Sequence, residues 1–344
     1  MALDLFDTRA MLAALEQMLP VKTFFLEKFF GNTETHQTKY VDIDIQKGKR
    51  RLAPFVNPRL QGKMVEKRGY TTHTYAPPYI KPKMITTAED MLKRQMGETI
   101  YTEARTGNDY ATAQLGKDLA ELDEMVTRRE EWMAAQAIQT GQLVVVGDGV
   151  NDTIDFLMAG THKVTLTGAD LWSAGTGTPI EDLEDWAELI AQDSGLTADT
   201  IIMGKDAARA FINNTDVQKK LNLLKLQIAT IAPARIIPGA RYIGTIDSVA
   251  DIYVYHEWYL DDWTDPLNPV EYPMVGAKKV IMGSTQARCT RHYGAIQDLD
   301  ATAVVPRFPK SWTEKDPSAR FLMLQSAPLT VPHQIDGFVT ATVL

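Results

Sequence analysis

Two acidic segments carry residue types and spacings that could do chemistry. Residues 147–152 read Gly-Asp-Gly-Val-Asn-Asp and place the carboxylates of Asp148 and Asp152 four residues apart. Asp42 and Asp44 stand two apart in Val-Asp-Ile-Asp-Ile, nearer the N-terminus. Carboxylate oxygens are the ligands that Mg²⁺ prefers, and an aspartate can also act as a nucleophile. Together the two segments would suit magnesium-dependent phosphoryl transfer.

The first segment has the form of the acidic loop of haloacid-dehalogenase-type phosphatases, but the rest of that pattern is missing. Such enzymes need a nucleophilic aspartate in Asp-x-Asp-x-Thr at the end of a buried strand. Here Gln46 stands where the threonine should follow, the residues at 35–39 are polar, and no lysine-bearing middle motif is recognisable. Gly-Asp-Gly and Asn-Asp are also common turn formers between strands. The turn is therefore the favoured interpretation, and the phosphatase is the alternative.

No other chemical site is expected. The sequence has no Walker-type phosphate loop, no Gly-x-Gly-x-x-Gly opening a helix, no His-Glu-x-x-His and no Gly-x-Ser-x-Gly. The six histidines, at positions 36, 73, 162, 256, 292 and 333, are scattered along the chain. Cys289 and His292 are three apart with no acid nearby, a spacing that chance often produces. We therefore predict no catalytic residue, no metal site and no cofactor, and a chain that is not an enzyme.

The composition argues against several other classes of protein. With 344 residues, 44% of them hydrophobic, the chain can bury a sizeable core in one large or two smaller domains. Its net charge of −8 lacks the basic footprint of a nucleic-acid-binding module. Apolar runs are short, and Asp4 and Asp7 precede any lysine, so we expect neither a membrane span nor a secretory signal. The single cysteine excludes an intrachain disulfide, and we expect the chain to stay in the cytoplasm of the cell that makes it.

The N-terminal segment combines a helix with an aromatic cluster. Residues 8–19 are amphipathic and are followed by Pro20, which ends the predicted helix. Four phenylalanines within the next stretch require burial: Phe24, Phe25, Phe29 and Phe30. We predict that this cluster packs between subunits or under the long helix described below. The alternative is packing on the chain's own core.

Residues 39–78 have the pattern of an extended hairpin. Residues 41–45 alternate apolar and acidic side chains, the period of a half-exposed strand, and residues 70–75 form a second extended stretch. A two-stranded ribbon is marginal in isolation, so this one should lie on another surface. A basic turn follows the first stretch: Lys47, Lys49, Arg50 and Arg51. We predict that this turn lies near acidic residues of a neighbouring subunit, the alternative being a solvated loop tip.

The strongest helical signal covers residues 110–140. A narrow apolar stripe runs along it: Leu115, Leu119, Leu122, Val126 and Met133. The stretch contains no proline, and Glu124 precedes Arg128 by four residues, which supports a helix. No comparable second helix exists to form a coiled coil. The long helix is therefore predicted to lie across a sheet.

The remainder alternates strands and helices, which gives an α+β fold class. Residues 142–146 and 163–166 are predicted to be two strands around a polar turn. Thr178-Pro179-Ile180-Glu181 is a helix-start signature with a hydroxyl cap and a proline at the first position, and the helix should stop before Gly195. Further elements are predicted in this order: a strand at 200–203, a helix at roughly 207–224, and strands at 241–246, 251–260 and 278–282.

Five ordered blocks in the C-terminal quarter carry a family resemblance. They read Gly-Ser-Thr-Gln-Ala-Arg at 283–288, Tyr-Gly-Ala-Ile-Gln-Asp at 293–298, Arg-Phe-Pro-Lys-Ser-Trp at 307–312, Asp-Pro-Ser-Ala-Arg at 316–320 and Gln-Ser-Ala-Pro-Leu at 325–329. This series closely resembles the lambda-type tailed-phage major capsid proteins, the phage major capsid protein E family. Segments 23–30, 53–55 and 78–83 agree with it. The resemblance is weakest across 141–180 and 224–275.

The resemblance implies the tailed-phage capsid fold, named after phage HK-ninety-seven. That fold has a peripheral domain built from a long spine helix on a β-sheet, an axial domain, an extended β-hairpin loop and an N-terminal arm. The implied boundaries are arm 1–38, extended β-hairpin loop 39–80, peripheral domain 81–177 and 306–344 with spine helix 110–140, and axial domain 178–305. The last strand, 338–343, is expected to return to the peripheral sheet.

The resemblance also implies a function. The chain would be a major capsid protein that self-assembles into hexamers and pentamers of an icosahedral head enclosing the DNA genome. Its implied partners are further copies of itself, a scaffold and protease, a portal, a decoration protein and packaged DNA contacted non-specifically, with no membrane. It would end in the virion after assembly in the bacterial cytoplasm. A cellular nanocompartment shell of the same fold is a further alternative, which gene neighbours would separate.

Overall fold

The computed structural model describes residues 8–17, 23–45, 52–65, 71–87, 89, 107–147, 149–174, 176–219, 236–237, 239–246, 250–262, 267–301, 304–316 and 318–344. The named helices are α1 (Thr8–Gln17), α2 (Phe25–Lys28), α3 (Gly107–Thr140), α4 (Pro179–Asp193) and α5 (Lys205–Asn213). The strands form one seven-stranded sheet, two three-stranded sheets and three two-stranded ribbons. The predicted α+β class is therefore confirmed.

The sheets bring together strands that are far apart in the chain. In spatial order the seven-stranded sheet contains β7 (Lys163–Thr165), β19 (Phe338–Thr342), β14 (Lys279–Gly283), β8 (Thr200–Met203), β11 (Ala250–Tyr255), β10 (Ala240–Ile246) and β9 (Ile236–Ile237). The three-stranded sheets are β1 (Asn32–Thr35), β15 (Cys289–Tyr293) and β18 (Pro328–Pro332), and β16 (Phe308–Lys315), β17 (Ser318–Gln325) and β4 (Lys83–Thr87). The ribbons pair β2 (Val41–Ile45) with β3 (Thr71–Tyr75), β5 (Gln142–Gly147) with β6 (Val150–Asp155), and β12 (Trp258–Asp261) with β13 (Val270–Pro273).

The long helix α3 crosses both three-stranded sheets. It confirms the predicted helix and begins at Gly107 rather than at 110. Three residues of the predicted stripe are no more than 1% exposed: Leu119, Leu122 and Val126. They share a core with Leu322 and Leu324 of β17, whereas Met133 farther along shares a second core with Leu329 of β18. No helix within the described ranges, α3 included, combines the length and apolar character needed to span a bilayer.

The seven-stranded sheet is covered on both faces. Its strand β8 reads Thr-Ile-Ile-Met, and all four residues are buried. Ile201 faces a core that contains Trp186 of α4 and Phe211 of α5, whereas Ile202 faces the core that α3 helps to form. Successive residues of a strand point to opposite faces of its sheet. A strand that is apolar at consecutive positions therefore requires cover on both sides, and α3, α4 and α5 contribute to that cover.

The final strand, β19, corrects one expectation. It lies between β14 and β7, pairing Phe338 with Gly283 and Thr342 with Thr165, and does not join the sheet of β4, β16 and β17. Phe338 faces one core and Val339 faces the other, and both are fully buried. Such a strand is stable only inside a sheet that is covered on both faces. The sheet containing β4 does not offer this, since β4 has only exposed and half-buried residues.

The strand β5 also has a different partner from the predicted one. It pairs with β6, from Gln142 opposite Asp155 to Gly147 opposite Val150, across a two-residue turn. The predicted partner at 163–166 instead contributes β7 to the large sheet. Gly149 in the turn has φ +74°, a conformation that glycine adopts without steric cost. The interpretation of the Gly-Asp-Gly segment as a turn between two strands is therefore confirmed.

The predicted boundaries of α4 agree with the structure, whereas the predicted end of α5 does not. The helix α4 begins and ends as expected, but the side chain of its cap residue Thr178 forms no capping hydrogen bond. The helix α5 ends at Asn213 rather than near 224, because Asn214 adopts an extended backbone with φ −67° and ψ 134°. The Oδ1 atom of Asn214 then accepts a hydrogen bond from the backbone N–H of Asp216 at 3.0 Å and starts a new helical turn at 215–219. Residues 220–224 lie outside the described ranges.

Candidate assembly surfaces

An uncovered apolar surface lies on the loop between β2 and β3. Every residue from 52 to 65 is exposed. Six of them carry large apolar side chains, and the four most exposed are Leu52 at 96%, Phe55 at 106%, Leu60 at 69% and Met64 at 98%. Each large apolar side chain would gain about 1.5–3 kcal/mol on full burial, and contiguous exposed apolar groups mark interaction surfaces. We call residues 52–65 the extended loop.

The ribbon that carries the extended loop is fixed at its base. The strands β2 and β3 pair from Val41 opposite Tyr75 to Ile45 opposite Thr71, which confirms the predicted hairpin. Val41 and Ile43 are buried, and the Tyr75 hydroxyl donates to the backbone oxygen of Asp155 at 2.8 Å. The loop therefore projects from an anchored base. The basic turn formed by Lys47, Lys49, Arg50 and Arg51 lies outside the described residues, so its predicted contact remains a prediction.

Two other ribbons expose apolar side chains. On the β5–β6 ribbon these are Val144, Val146 and Val150. On the β12–β13 ribbon they are Trp258, Leu260, Val270 and Tyr272. Both ribbons contact the main body on one side, through Leu143 and Ile154 in the first and Tyr259 in the second. The exposed sides offer further surface for a neighbouring molecule.

The four phenylalanines of the N-terminal segment do not lie at a surface. Phe24, Phe25 and Phe30 are at most 1% exposed and Phe29 is 5% exposed, all within the chain's own core. The ring of Phe24 lies 5.3 Å from that of Tyr253, between ring centroids. The prediction that these side chains contact a neighbouring subunit is therefore corrected. They have almost no exposed surface with which to contact another molecule. The structure instead packs the cluster on the chain's own core, under the long helix.

Glu131 of α3 holds this aromatic segment in place. Its Oε1 accepts hydrogen bonds from the backbone N–H groups of Phe24 at 3.0 Å and Phe25 at 2.8 Å, and its Oε2 accepts one from Leu26 at 3.0 Å. The Tyr255 hydroxyl donates to Oε1 at 2.8 Å. Burial raises the pKa of Glu131, and these four donors partly offset the effect. The carboxylate thereby supplies acceptors for the N–H groups that the start of α2 leaves unpaired.

The neighbouring Glu130 joins α3 to the C-terminal part of the chain. Its Oε2 accepts a hydrogen bond from the Tyr293 hydroxyl at 3.0 Å and pairs with the Arg307 guanidinium at 3.2 Å. Arg307 also pairs with Asp123, about two turns earlier on the helix. Burial raises the pKa of Glu130, while the charge of Arg307 opposes that shift. A buried carboxylate is retained here because a cation and a hydroxyl both face it.

Asp298 ties the segment after β15 to the sheet of β16 and β17. Its carboxylate accepts hydrogen bonds from the Lys310 ammonium at 2.8 Å and from the Gln325 side-chain amide at 2.8 Å. Partial burial opposes ionisation of the carboxyl group. The donors from Lys310, the Asp300 N–H and Gln325 outweigh that effect and hold the pKa of Asp298 at about 2. The carboxylate is therefore ionised throughout the neutral range.

Two of the acidic residues considered for phosphoryl transfer, Asp42 and Asp152, lie on different two-stranded ribbons in the part of the chain that the structure describes. Asp42 lies on the exposed side of β2, where it accepts a hydrogen bond from Thr74, and Asp152 is exposed on β6, in a separate ribbon. Asp148 lies outside the described residues. Neither ribbon provides the buried strand that ends at a nucleophile in the phosphatase pattern. The phosphatase alternative therefore has no support from the geometry.

The Cys289 and His292 pair is not a site either. Both residues lie on β15, where positions three apart point to opposite faces of the sheet. Cys289 is buried, and burial raises the pKa of its thiol far above the ordinary value. A thiol held in its neutral form is a poor nucleophile. His292 has other neighbours, which are described below.

Sequence reasoning predicted the hairpin but missed the exposed apolar side chains of residues 52–65 and the paired glutamates. Residues 52–56 look like a short apolar strand. Pro54 and Pro58 have no backbone N–H to donate, so this region cannot form a regular ladder of hydrogen bonds. The available signal for an exposed loop was a set of apolar residues that lie between prolines and have neither a strand nor a helix period. Glu130 and Glu131 begin the stretch Glu-Glu-Trp-Met-Ala-Ala at 130–135 of α3, whose other residues are apolar. Two acids in such a stretch indicate buried partners that only the fold can name.

Comparisons with solved structures define the class of protein to which this fold belongs. A capsid protein of a prophage of Escherichia coli CFT073 matches with a TM-score of 0.72 and 22% identity, covering 98% of this chain and 99% of that one. The capsid of Ralstonia phage GP4 matches with a TM-score of 0.55 and 11% identity, covering 94% and 92%. The fold is therefore the tailed-phage capsid fold, and the predicted HK-ninety-seven-like architecture is confirmed.

Sequence comparison then gives the family. The model of the phage major capsid protein E family matches residues 7–343. The major capsid protein of Enterobacteria phage P21 is 28% identical over 358 residues, covering 99% of this chain and all of that protein. That of Escherichia phage lambda is 26% identical over 356 residues, covering 98% and 99%. The chain belongs to the phage major capsid protein E family. It is a major capsid protein, a structural subunit of the phage virion, as the resemblance predicted.

Proposed function

We propose that the chain forms the hexamers and pentamers of an icosahedral head by docking its extended loop onto a neighbouring copy. The uncovered side chains of Leu52, Phe55, Leu60 and Met64 carry this proposal. A ring in which each copy passes a loop to the next is a closed heterologous assembly, and such an interface adds contact area without enlarging the core of the subunit. The exposed sides of the β5–β6 and β12–β13 ribbons would enlarge the same contacts.

A double substitution in the extended loop tests this docking. Leu52→Ser with Phe55→Ser removes apolar groups that make little contact within the chain, so the thermal unfolding of the isolated chain should stay unchanged. Shell formation should fall sharply, as seen by negative-stain microscopy and sedimentation. Gln61→Ser is the matched control, since it alters the same exposed loop without removing apolar surface. Normal shells from the double variant would refute docking through this loop.

We propose in addition that the basic turn contacts acidic residues of a neighbouring subunit. Exposed ion pairs between subunits chiefly direct association, so salt should weaken the contact. Charge reversal with Arg50→Glu and Arg51→Glu should lower the yield of shells, and added salt should reduce the difference from the wild type. A normal yield from the reversed variant would refute the contact.

The proposed domain organisation keeps the predicted boundaries, with one change. The arm comprises 1–38, the extended β-hairpin 39–80, the peripheral domain 81–177 with 306–337, and the axial domain 178–305 together with β19. The strands β8, β9, β10, β11, β14 and β19 lie in one sheet, which supports the axial assignment, and β7 of the peripheral domain pairs with β19 at the edge of that sheet. Single-cysteine crosslinking in assembled shells would test it, because residues near the symmetry axis should crosslink into closed rings of five or six chains.

The proposed partners are those of a head that assembles in the cytoplasm of a bacterial host. They are a scaffold and protease, a portal, a decoration protein and packaged DNA contacted non-specifically. The net charge of −8 supports a wall that does not hold DNA tightly. Coexpression with neighbouring genes, followed by purification of shells and identification of the bound proteins, tests these partners. Shells of normal size and shape formed without any second protein would refute the need for a scaffold.

A further inference from the structure

Three of the six histidines of this chain meet at the junction of the arm with the main body. Glu34 lies on β1 and His36 directly follows that strand, His292 lies on β15, and His333 follows β18. The strand β1 pairs in parallel with β15, and Glu34 is the direct partner of His292. The backbone N–H of His36 donates to the oxygen of Tyr293 at 2.8 Å. We call Glu34, His36, His292 and His333 the histidine cluster.

The nitrogen and oxygen atoms of the cluster converge. The Nε2 atom of His36 lies 2.9 Å from Nδ1 of His292, and Oε2 of Glu34 lies 3.6 Å from the same Nδ1. Ligand atoms from these three residues all lie within 4.8 Å of one another. In a tetrahedral zinc site with bonds of about 2.0–2.1 Å, neighbouring ligand atoms are about 3.3 Å apart. The two observed distances from Nδ1 lie on either side of that value.

The other ring nitrogen of His292 is also occupied. Its Nε2 lies 3.2 Å from Nε2 of His333, and the two rings meet edge to face with centroids 5.3 Å apart. Histidines that bind metals usually donate their second N–H to a neighbouring acceptor, which fixes the tautomer and the ring orientation. His333 stands where such an acceptor is needed.

The charged groups near His292 act on a bound cation in opposite directions. The positive charge of Arg288 opposes a bound cation, whereas the carboxylate of Glu34 favours it. The Glu34 side chain is 52% exposed, so an ion can reach the cluster from solvent.

We propose that Glu34, His36 and His292 bind a divalent transition-metal ion of the zinc class, that His333 orients His292, and that the ion clamps β1 onto β15. Two imidazoles and one carboxylate with room for water form a donor set that such ions accept. The ion would stabilise the pairing of β1 with β15, and β1 has little other support because it is an edge strand with four exposed residues. The proposal concerns the folded chain and does not depend on how the chain assembles.

A chain of hydrogen bonds among neutral imidazoles is the competing explanation. His36 would donate from Nε2 to His292, and His292 would donate from its Nε2 to His333. Metal binding would replace the first of these hydrogen bonds and keep the second. The two explanations therefore differ in whether the cluster takes up an ion, and this can be measured directly.

The experiment titrates the full chain, first treated with a chelator and then exchanged into buffer, with zinc against a chromophoric competitor. The wild type should bind one ion per chain with high affinity, and cobalt should give the visible absorption of a tetrahedral site. His36→Gln and Glu34→Gln should each weaken binding at least tenfold. His256→Gln, at an exposed histidine outside the cluster, is the matched control and should bind as the wild type does. Absence of binding in the wild type, or undiminished binding in both ligand variants, would overturn the site.

Two further measurements test the clamp and the orienting residue. Zinc should slow the hydrogen exchange of the amides of residues 32–35 in the wild type and not in His36→Gln. Binding without this slowing would overturn the clamp. His333→Gln keeps the three ligands, so zinc binding should weaken by about tenfold while the stoichiometry stays at one. Unchanged affinity in that variant would overturn the orienting role. Glu34 is exposed, so the Glu34→Gln variant tests the site even if a substitution at a buried histidine disturbs folding.

Discussion

Replacing Glu131 by glutamine should release the aromatic segment of the arm from α3. The carboxylate accepts three backbone hydrogen bonds, from Phe24, Phe25 and Leu26, and one from the Tyr255 hydroxyl. Glutamine has almost the same shape, but only one of its two terminal atoms can accept. If the amide oxygen takes the place of Oε1, the amide nitrogen at the other position turns its own N–H groups toward the N–H of Leu26.

The size of the effect follows from these contacts. A buried N–H left without an acceptor costs about 1–3 kcal/mol. The three remaining hydrogen bonds lose the contribution of the charge, which makes such bonds roughly twice as strong as neutral ones. In the opposite direction, glutamine avoids the cost of burying a charge, the same cost that raises the pKa of Glu131. We expect a net loss of about 2 kcal/mol, which corresponds to a change of about 30-fold in the local opening equilibrium.

Hydrogen exchange at the amides of residues 24–26 measures this loss directly. In Glu131→Gln these amides should exchange about 30-fold faster than in the wild type. Glu124→Gln is the matched control on the same helix, because it removes an exposed ion pair with Arg128 and should change stability by no more than about 0.5 kcal/mol. Equal exchange rates at residues 24–26 in the two variants would refute the idea that Glu131 anchors the arm.

Three further predictions concern the stability of the folded subunit, and the first also concerns assembly. Phe25→Ala should lower the free energy of unfolding by about 3–5 kcal/mol in urea titrations, because the ring is fully buried, whereas Phe55→Ala should change it by less than about 0.5 kcal/mol and still reduce shell yield. Gly283→Ala should cost about 1–3 kcal/mol by the same assay, because the added methyl group would collide with the ring of Phe338. The pKa of Asp298 is about 2 in the folded chain, below the unfolded value near 4, so its stabilising contribution is complete above about pH 4 and is lost as the pH falls towards 2. Asp298→Asn should therefore be less stable than the wild type at neutral pH, and the difference should shrink across that window; a constant difference would contradict the assignment.

The elements that could be predicted from the sequence are those with a strong local period. The stripe through Leu119 and Val126 predicts α3, since only a helix brings residues at that spacing onto one face. The alternation in β2 predicts the ribbon, and the resemblance in the C-terminal blocks predicts the family. The prediction of one continuous helix over 207–224 was wrong, because Asn214 ends α5 at Asn213 and its side chain begins another helical turn at 215–219. That competition between side chain and backbone leaves no mark in the hydrophobic pattern.

Strand partners and surface assignments required the tertiary structure. The apolar content of residues 338–343 indicates a buried strand, but it does not say which sheet buries it, and the expected sheet was wrong. The Phe24 cluster shows the same limit, since its need for burial is plain in the sequence while the covering surface, the chain's own core, is not. Exposure of Phe55 is the converse case, because an apolar residue is ordinarily predicted to lie inside.

The sequence by itself determined the class, the family, the long helix and the presence of a ribbon, because these depend on residue types and on spacings within one segment. Only the tertiary structure decided which residues meet across the chain. Glu131 reaches the amides of Phe24 and Phe25 more than a hundred residues away, and His36 meets His292 through the register of β1 on β15. The physical reason is that the order and register of strands are fixed by the burial of whole sheet faces. No local spacing between two histidines or two acids records that outcome.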